Sequence, residues 1–366
     1  MEKLSDRQIS SVTALVIISG ILMSGGSDRS MQNAWVAEAV AIGLAIPVYM
    51  MYARIVSLFP GKGLFEIIIH IWGNFIGKTV VFLMSLYAFF VGAMGMRIFS
   101  EFNQVVSMPE TSQMLTLVIF AAVCLYIIKK GIPSLGAFAN IALPLIVLMV
   151  LVINIFSLSE WKLHYAMPVM YNAGEKFAGD VFTTAVFPLG EAVFICTLFG
   201  FKKKSGGTGK IFLTGLATGG TLLVLETLRC IMVLGANTIS LLYYPSYTAT
   251  GIINIMDFFT RVEVMVSASF FVAQIVKTTM CIYIFCSGTG KIIKTADYKS
   301  LGCPTTFAMV AVAFILFGST VESYEFLDVY KYYAPFFQLV IPFALWIFAE
   351  FRSREERKPE ALPVTD

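Results

Sequence analysis

Glu191 stands inside the apolar run Val181–Phe201, just after Pro188 and Gly190. A carboxylate at bilayer depth costs at least a few kcal/mol unless it faces protein, water or a partner. Proline removes a backbone donor and clashes with the preceding turn, and glycine loosens that turn further. Broken backbone is tolerated at that depth only where it is buried in protein or lines a cavity. The stretch therefore reads as a transmembrane helix that stops and restarts beside a polar site. The plainer alternative is a proline-kinked helix whose Glu191 bonds a neighbour. A second interruption falls in the first apolar run, at Ser19-Gly20 and Ser24-Gly25-Gly26, although glycine pairs also serve close helix packing. Half-helix N-termini can receive a carboxylate, and freed carbonyls can receive an ammonium group or a cation. The chemistry expected is thus the holding of a small zwitterion. Backbone around Ser19, Gly20, Ser24, Gly25 and Gly26 would meet its carboxylate. Backbone near Phe187, Leu189 and Gly190 would meet its ammonium end. Tyr87 would form a wall, and Glu191 would organise the break or act as a titratable switch.

Four more ionisable residues in apolar runs are candidates for an ion pathway or gate: Glu38, Glu226, Arg229 and Lys277. Glu226 and Arg229 are three apart on one helix face, and their pairing lowers the burial cost, which points to a structural role before a transport one. Lys277 can snorkel toward a membrane face on its long stem. Alternatively it lines the pathway or pairs with a carboxylate such as Glu191, where a fixed cation can take the place of a bound sodium ion. Arg97 and Glu101, one turn apart, read as a helix-surface pair near the outer boundary. Tyr243-Tyr244-Pro245 and Tyr247 suggest an outer lid with a short helix, or an interfacial cap.

These residues need a membrane bundle to hold them. The chain has 366 residues, 58% hydrophobic and 13% charged, where soluble domains carry roughly 25% charged residues. A spanning helix needs about 20 apolar residues. Ten runs qualify, about 9–27, 34–56, 79–100, 113–129, 133–157, 181–201, 211–233, 263–286, 305–321 and 333–350. With ten spans, eighteen of the 26 Lys and Arg residues fall on one side, from Lys3 and Arg7 through Lys202–Lys204 to Arg352–Lys358. The positive-inside rule then places both termini in the cytoplasm. The fold class expected is an all-α polytopic membrane protein with a five-plus-five inverted repeat and broken first and sixth helices. The repeats run about 9–157 and 181–350 within a single domain 1–360, and the charged tail 352–366 is expected to be disordered. Matching interruptions in corresponding spans of the two halves point to the binding site of such a fold.

Other chemistries find no support. His70 and His164 are the only histidines, so no HExxH zinc motif exists. There is no GxSxG elbow, and Gly206–Lys210 reads as a turn because no strand precedes it. The six cysteines form no CxxC pair and read as small hydrophobes. Neither a cofactor, a metal, a nucleic-acid partner nor an enzymatic activity is expected.

Several short motifs occur in a telling order: LSDRQ at 4–8, FPGKGLFEI at 59–67, MPET at 108–111, YAMPVMYNAGE at 165–175, PLGEAVF at 188–194 and FFTRVEV at 258–264. Together they resemble, over nearly the whole chain, the B subunits of spore germinant receptors. These form the endospore germination permease family within the amino acid–polyamine–organocation transporters, whose fold is LeuT-like. The resemblance implies a nutrient sensor of the bacterial spore inner membrane, working with A- and C-type subunits. It would bind a small germinant, often an amino acid, and help trigger ion release. The alternative is secondary transport of an amino acid coupled to protons or cations.

Overall fold

The computed structural model describes residues 3–20, 31–107, 110–170, 174–202, 206–253, 261–295 and 297–357. Within them the chain is helical from end to end, in the order α1 (Asp6–Ser19), α2 (Ala34–Leu58), α3 (Leu64–Phe102), α4 (Gln113–Lys130), α5 (Ile132–Ser157), α6 (Glu175–Val186), α7 (Thr208–Leu234), α8 (Ala236–Ile239), α9 (Pro245–Gly251), α10 (Glu263–Ile293), α11 (Gly302–Ile315), α12 (Thr320–Pro335) and α13 (Ile341–Arg357). A 3₁₀ segment, Leu189–Phe201, continues α6, and a π turn, Phe336–Val340, joins α12 to α13. Nine helical stretches among the described residues are long and apolar enough to cross a bilayer, and α1 precedes them. Each expected span therefore has its helix.

Local chemistry sets the helix ends. Ser5 and Gln8 form a reciprocal capping box at the start of α1, which explains the LSDRQ motif. In FPGKGLFEI, Glu66 accepts from the Gly63 amide at 2.9 Å, and a Cβ on Gly63 would lie 2.9 Å from the Thr197 carbonyl. That glycine lets the loop seat against the end of the sixth span. Gly73 has φ +75°, a conformation open to glycine, and it separates Leu64–Trp72 from the spanning part of α3. At the other end of the chain, α13 runs through Arg352 and Arg354 to Arg357, so the charged tail begins as helix. Arg54 of α2 holds Glu350 at 2.6 Å just before it.

Burial separates an inner set of helices from an outer one. The most apolar windows of α10 and of the sixth span are 83% and 78% buried, against 28% for α5 and 33% for α4. With no water in the lipid, the outer helices can present Ile141, Leu148 and Ile155 outward, while the inner ones approach through small residues. Gly215 and Gly219 of α7, four residues apart, face Thr13 and Ile17 of α1, also four apart. Gly92 and Gly95 of α3 similarly meet Cys281 and Gln274 of α10. Five of the six cysteines are buried among the apolar side chains.

Candidate functional site

The first and sixth spans lie side by side and run antiparallel. At one end the Leu4 amide donates to the Phe201 carbonyl at 2.7 Å, and Lys202 pairs with Asp6 at 3.5 Å. Half a membrane away, α1 ends at Ser19, and Gly20 abuts the Phe187 ring and Pro188. A Cβ on Gly20 would come within 2.9 Å of Phe187 Cζ, so only glycine permits this approach. The sixth span breaks at the same level. Phe187 takes φ −129°, ψ 116°, the extended region, after which the chain resumes as the 3₁₀ segment. Such segments seldom exceed three or four residues and often mark functional hinges or strain; this one runs for 13. Ser24, Gly25 and Gly26 lie outside the described residues.

Glu191, at the start of the restarted helix, is fully buried. Lys277 Nζ from the middle of α10 lies 2.6 Å from its Oε2, although Oε2 accepts no well-directed hydrogen bond. The ammonium also sits over the Phe187 ring, 4.8 Å from its centroid, a cation–π contact that strengthens when desolvated. Of the two readings of Lys277, snorkelling is excluded: the side chain is 4% exposed and points inward to Glu191. A lysine this far inside gains more from a buried carboxylate and an aromatic face than its stem could recover by reaching water.

A hydroxyl and amide network closes the other side. Tyr330 donates to Glu191 Oε1 at 3.1 Å, and its oxygen is 2.7 Å from that of Tyr87. Gln338, in the π turn, donates to Tyr87 at 2.8 Å and reaches Tyr330 at 3.3 Å. Tyr49 donates to the Leu189 carbonyl at 2.9 Å, and Tyr52 to the Gln338 carbonyl at 2.5 Å. A Cβ on Gly190 would fall 2.1 Å from Gln338 Oε1, so glycine there admits the glutamine. Tyr87 also stacks on Phe337, with centroids 4.6 Å apart. The carbonyl of Leu189 and the surface of Gly190, expected to meet a ligand, are thus covered by the protein's own side chains.

The remaining candidates form separate clusters. Glu38 is buried, takes the Thr227 hydroxyl at 2.8 Å on one oxygen and leaves Oε2 without a hydrogen bond. Arg229 and Glu226 pair within α7, as their spacing suggested. Arg229 also bonds Thr250 Oγ1 and Ser246 Oγ, both at 3.1 Å, on the short helix α9. Arg97 and Glu101 differ from expectation. They pair at 2.6 Å but are only 7% and 5% exposed. Arg97 donates to the Phe314 carbonyl at 3.0 Å and Ser323 donates to Glu101 at 3.0 Å, so neighbouring helices roof over the face that was read as open. The segment read as a lid or an interfacial cap does contain a short helix, α9, and Tyr244 packs edge-on against Phe102 at 5.3 Å. Burial, then the nearby Tyr324 and Glu101, raise the Tyr244 phenol above its ordinary range, so it stays protonated.

A family model described as spore germination protein matches residues 3–325. The chain belongs to that family. Its spore germination relatives in Bacillus subtilis (strain 168) include spore germination protein KB, 22% identical over 93% of this chain and 92% of the relative. The putative spore germination protein YfkT is 22% identical over 87% and 88%. Among solved structures, Mhp1, a nucleobase-cation-symport-1 family transporter, superimposes with a TM-score of 0.65 at 13% identity, over 90% of this chain and 75% of that one. MhsT, solved in complex with L-phenylalanine, gives 0.64 at 13% identity, over 97% and 93%. The germination-family chain therefore has the LeuT-like fold, a transporter-like membrane architecture. Its network contains four residues that sequence reasoning passed over: Tyr49, Tyr52, Tyr330 and Gln338. Gln338 was the findable one, a lone amide in the apolar run 333–350 that had to find partners inside.

Proposed function

We propose that this chain is the membrane subunit of a nutrient germinant receptor, and that it binds a small amine-bearing molecule, an amino acid, where the two broken helices meet. One observation carries the reading. At the junction of Gly20, Phe187 and Glu191, a buried ammonium already rests between a carboxylate and an aromatic face, and that ammonium is the chain's own Lys277. The surroundings that suit Lys277 suit the ammonium of a free ligand equally well. A ligand that claims Glu191 must displace Lys277 or share the carboxylate with it, and either change alters how α10 is held against the sixth span. A ligand shifts such an equilibrium only by its differential affinity for the two states. The reading places the chain in the spore inner membrane, both termini cytoplasmic, with A- and C-type subunits sensing the shift. The single domain 1–360 carries repeats of about 9–157 and 181–350, and the junction brings the first span of one against the first span of the other.

Secondary transport coupled to protons is the second reading, and Glu38 favours it: a buried carboxyl with one oxygen unpartnered is suited to carry a proton. Purified protein tested across an amino-acid panel, with liposome uptake in parallel, separates the two. Binding without uptake supports the sensor, and uptake without partner subunits supports the transporter. Glu191→Gln is expected to weaken binding at least tenfold while the protein still assembles; wild-type dose–response curves in that variant reject the site.

A further inference from the structure

A groove of about 520 Å³ lies where Leu64–Trp72 turns at Gly73 into the spanning part of α3, beside the end of α10. Lys62, Lys78, Lys291 and Lys294 line it, with His70 and Glu66. Glu66 is the one carboxylate among these lining residues, and it is fully engaged. One oxygen caps the Gly63 amide at 2.9 Å and the other takes Lys291 at 2.8 Å. Lys62 lies over the Phe59 ring at 5.5 Å, a contact that leaves its charge in place. The groove thus holds three lysines, Lys62, Lys78 and Lys294, with no carboxylate of their own among the described residues. Lys294 takes a left-handed conformation, φ +58°, uncommon for a residue with a side chain. The chain tolerates that conformation at the very edge of the groove.

The level of the groove identifies its occupant. Asn74 lines it, and the next two residues, Phe75 and Ile76, are 86% and 60% exposed. Exposed phenylalanine and isoleucine at the start of an apolar span belong in acyl chains. Trp72, at the turn, packs on Phe348 of α13 at 6.2 Å, and tryptophan marks the headgroup level. Lys78 follows one turn after Phe75 on the same span, so cations and exposed apolar side chains share the boundary between headgroups and tails. We infer that this groove binds the phosphate headgroup of an anionic phospholipid, with Lys62, Lys78 and Lys294 around the phosphate and Phe75 and Ile76 against the acyl chains. A lipid held there braces the Gly73 turn against the end of α10, the helix that carries Lys277.

The test is an unfolding-midpoint titration of the detergent-solubilised full chain with phosphatidylglycerol, phosphatidylcholine or inorganic phosphate. Phosphatidylglycerol is expected to raise the midpoint saturably, and the other two are not. Each lysine near an anionic surface contributes about fivefold in affinity, so Lys78→Gln with Lys294→Gln should weaken the apparent phosphatidylglycerol affinity roughly 25-fold. Lys129→Gln with Lys130→Gln, basic but outside the groove, should leave it unchanged. If the groove double variant does not fold, Lys78→Arg with Lys294→Arg keeps the charge and must retain wild-type affinity, while Lys78→Gln alone must lose about fivefold. Wild-type affinity in the glutamine variants, equal losses in both double variants, or equal protection by inorganic phosphate overturns the proposal.

Discussion

Two of the buried ion pairs in the inner helices are built on opposite plans. Glu226 and Arg229 are 2% and 0% exposed, three residues apart on one helix. Arg229 spends its remaining donors on Ser246 and Thr250 of α9, so the guanidinium is bonded on every side. Glu191 and Lys277 are equally buried, at 0% and 4%, but they come from two different spans. The lysine ammonium has three protons to place, and its described contacts are one carboxylate oxygen and the face of Phe187. Arginine's fork fixes a geometry, whereas lysine is a point charge on a flexible stem. The first pair is a clasp between α7 and the short helix α9. The second is a contact that another ammonium can make in its place, at a point where the backbone is already open.

The clasp should fail hardest. Arg229→Met leaves Glu226 charged, buried and unpaired, which typically costs about 3–5 kcal/mol, and the unfolding midpoint in detergent should drop accordingly. Adding Glu226→Gln should recover much of that loss, because replacing both partners removes the uncompensated charge. A loss below about 1 kcal/mol would show that the pair is not the structural clasp described.

How much of this was readable beforehand follows the same division. Ten spans and two interruptions were legible because proline, glycine and charge inside apolar runs break simple rules that lipid enforces. Glu226 and Arg229 were legible as a pair because helix spacing places i and i+3 together. Lys277 and Glu191 are 86 positions apart by their numbering, and nothing in spacing alone chooses between snorkelling and pairing. The burial of Arg97 was misread for a related reason: the helix face holding it was known, but not that Phe314 and Ser323 would cover that face. Tyrosines such as Tyr49 and Tyr330 were hidden because an amphipathic ring in a membrane helix suits the interface as well as the core.

Lys277→Ala is the second test, and it sharpens the contrast. Glu191 loses its cation, so stability should fall by about 3 kcal/mol, comparable to the first case. The difference lies in rescue. Truncation leaves space beside Phe187 and Glu191 that a small alkylammonium can fill, so millimolar ethylammonium should return part of the lost midpoint. The same salt should do nothing for Arg229→Met, where a planar fork with several fixed partners has been removed. Rescue of neither variant would mean that the Glu191 site does not accept a free ammonium, and rescue of both would make the effect nonspecific.

The smallest expected effect comes from the hydroxyls beside each pair. Tyr330 donates to Glu191 at 3.1 Å, and Ser246 donates to Glu226 while receiving Arg229 at 3.1 Å. Tyr330→Phe takes away one hydrogen bond to a charged group, roughly 1.5–3 kcal/mol, and Ser246→Ala takes away two, one to Glu226 and one from Arg229. The cost at Tyr330 should fall toward the lower end. Gln338 keeps its 2.8 Å bond to Tyr87 there, and Glu191 keeps Lys277. In stability, then, Ser246→Ala should be the costlier of the two. They should part the opposite way in ligand binding measured on the same preparations. Tyr330→Phe alters the carboxylate that a ligand ammonium must claim and should change affinity several-fold, whereas Ser246→Ala touches only the clasp and should leave affinity within error. Equal affinities in the two variants would mean that the pairs differ in architecture but not in role, since the junction of broken helices would then respond no more than a distant structural bond.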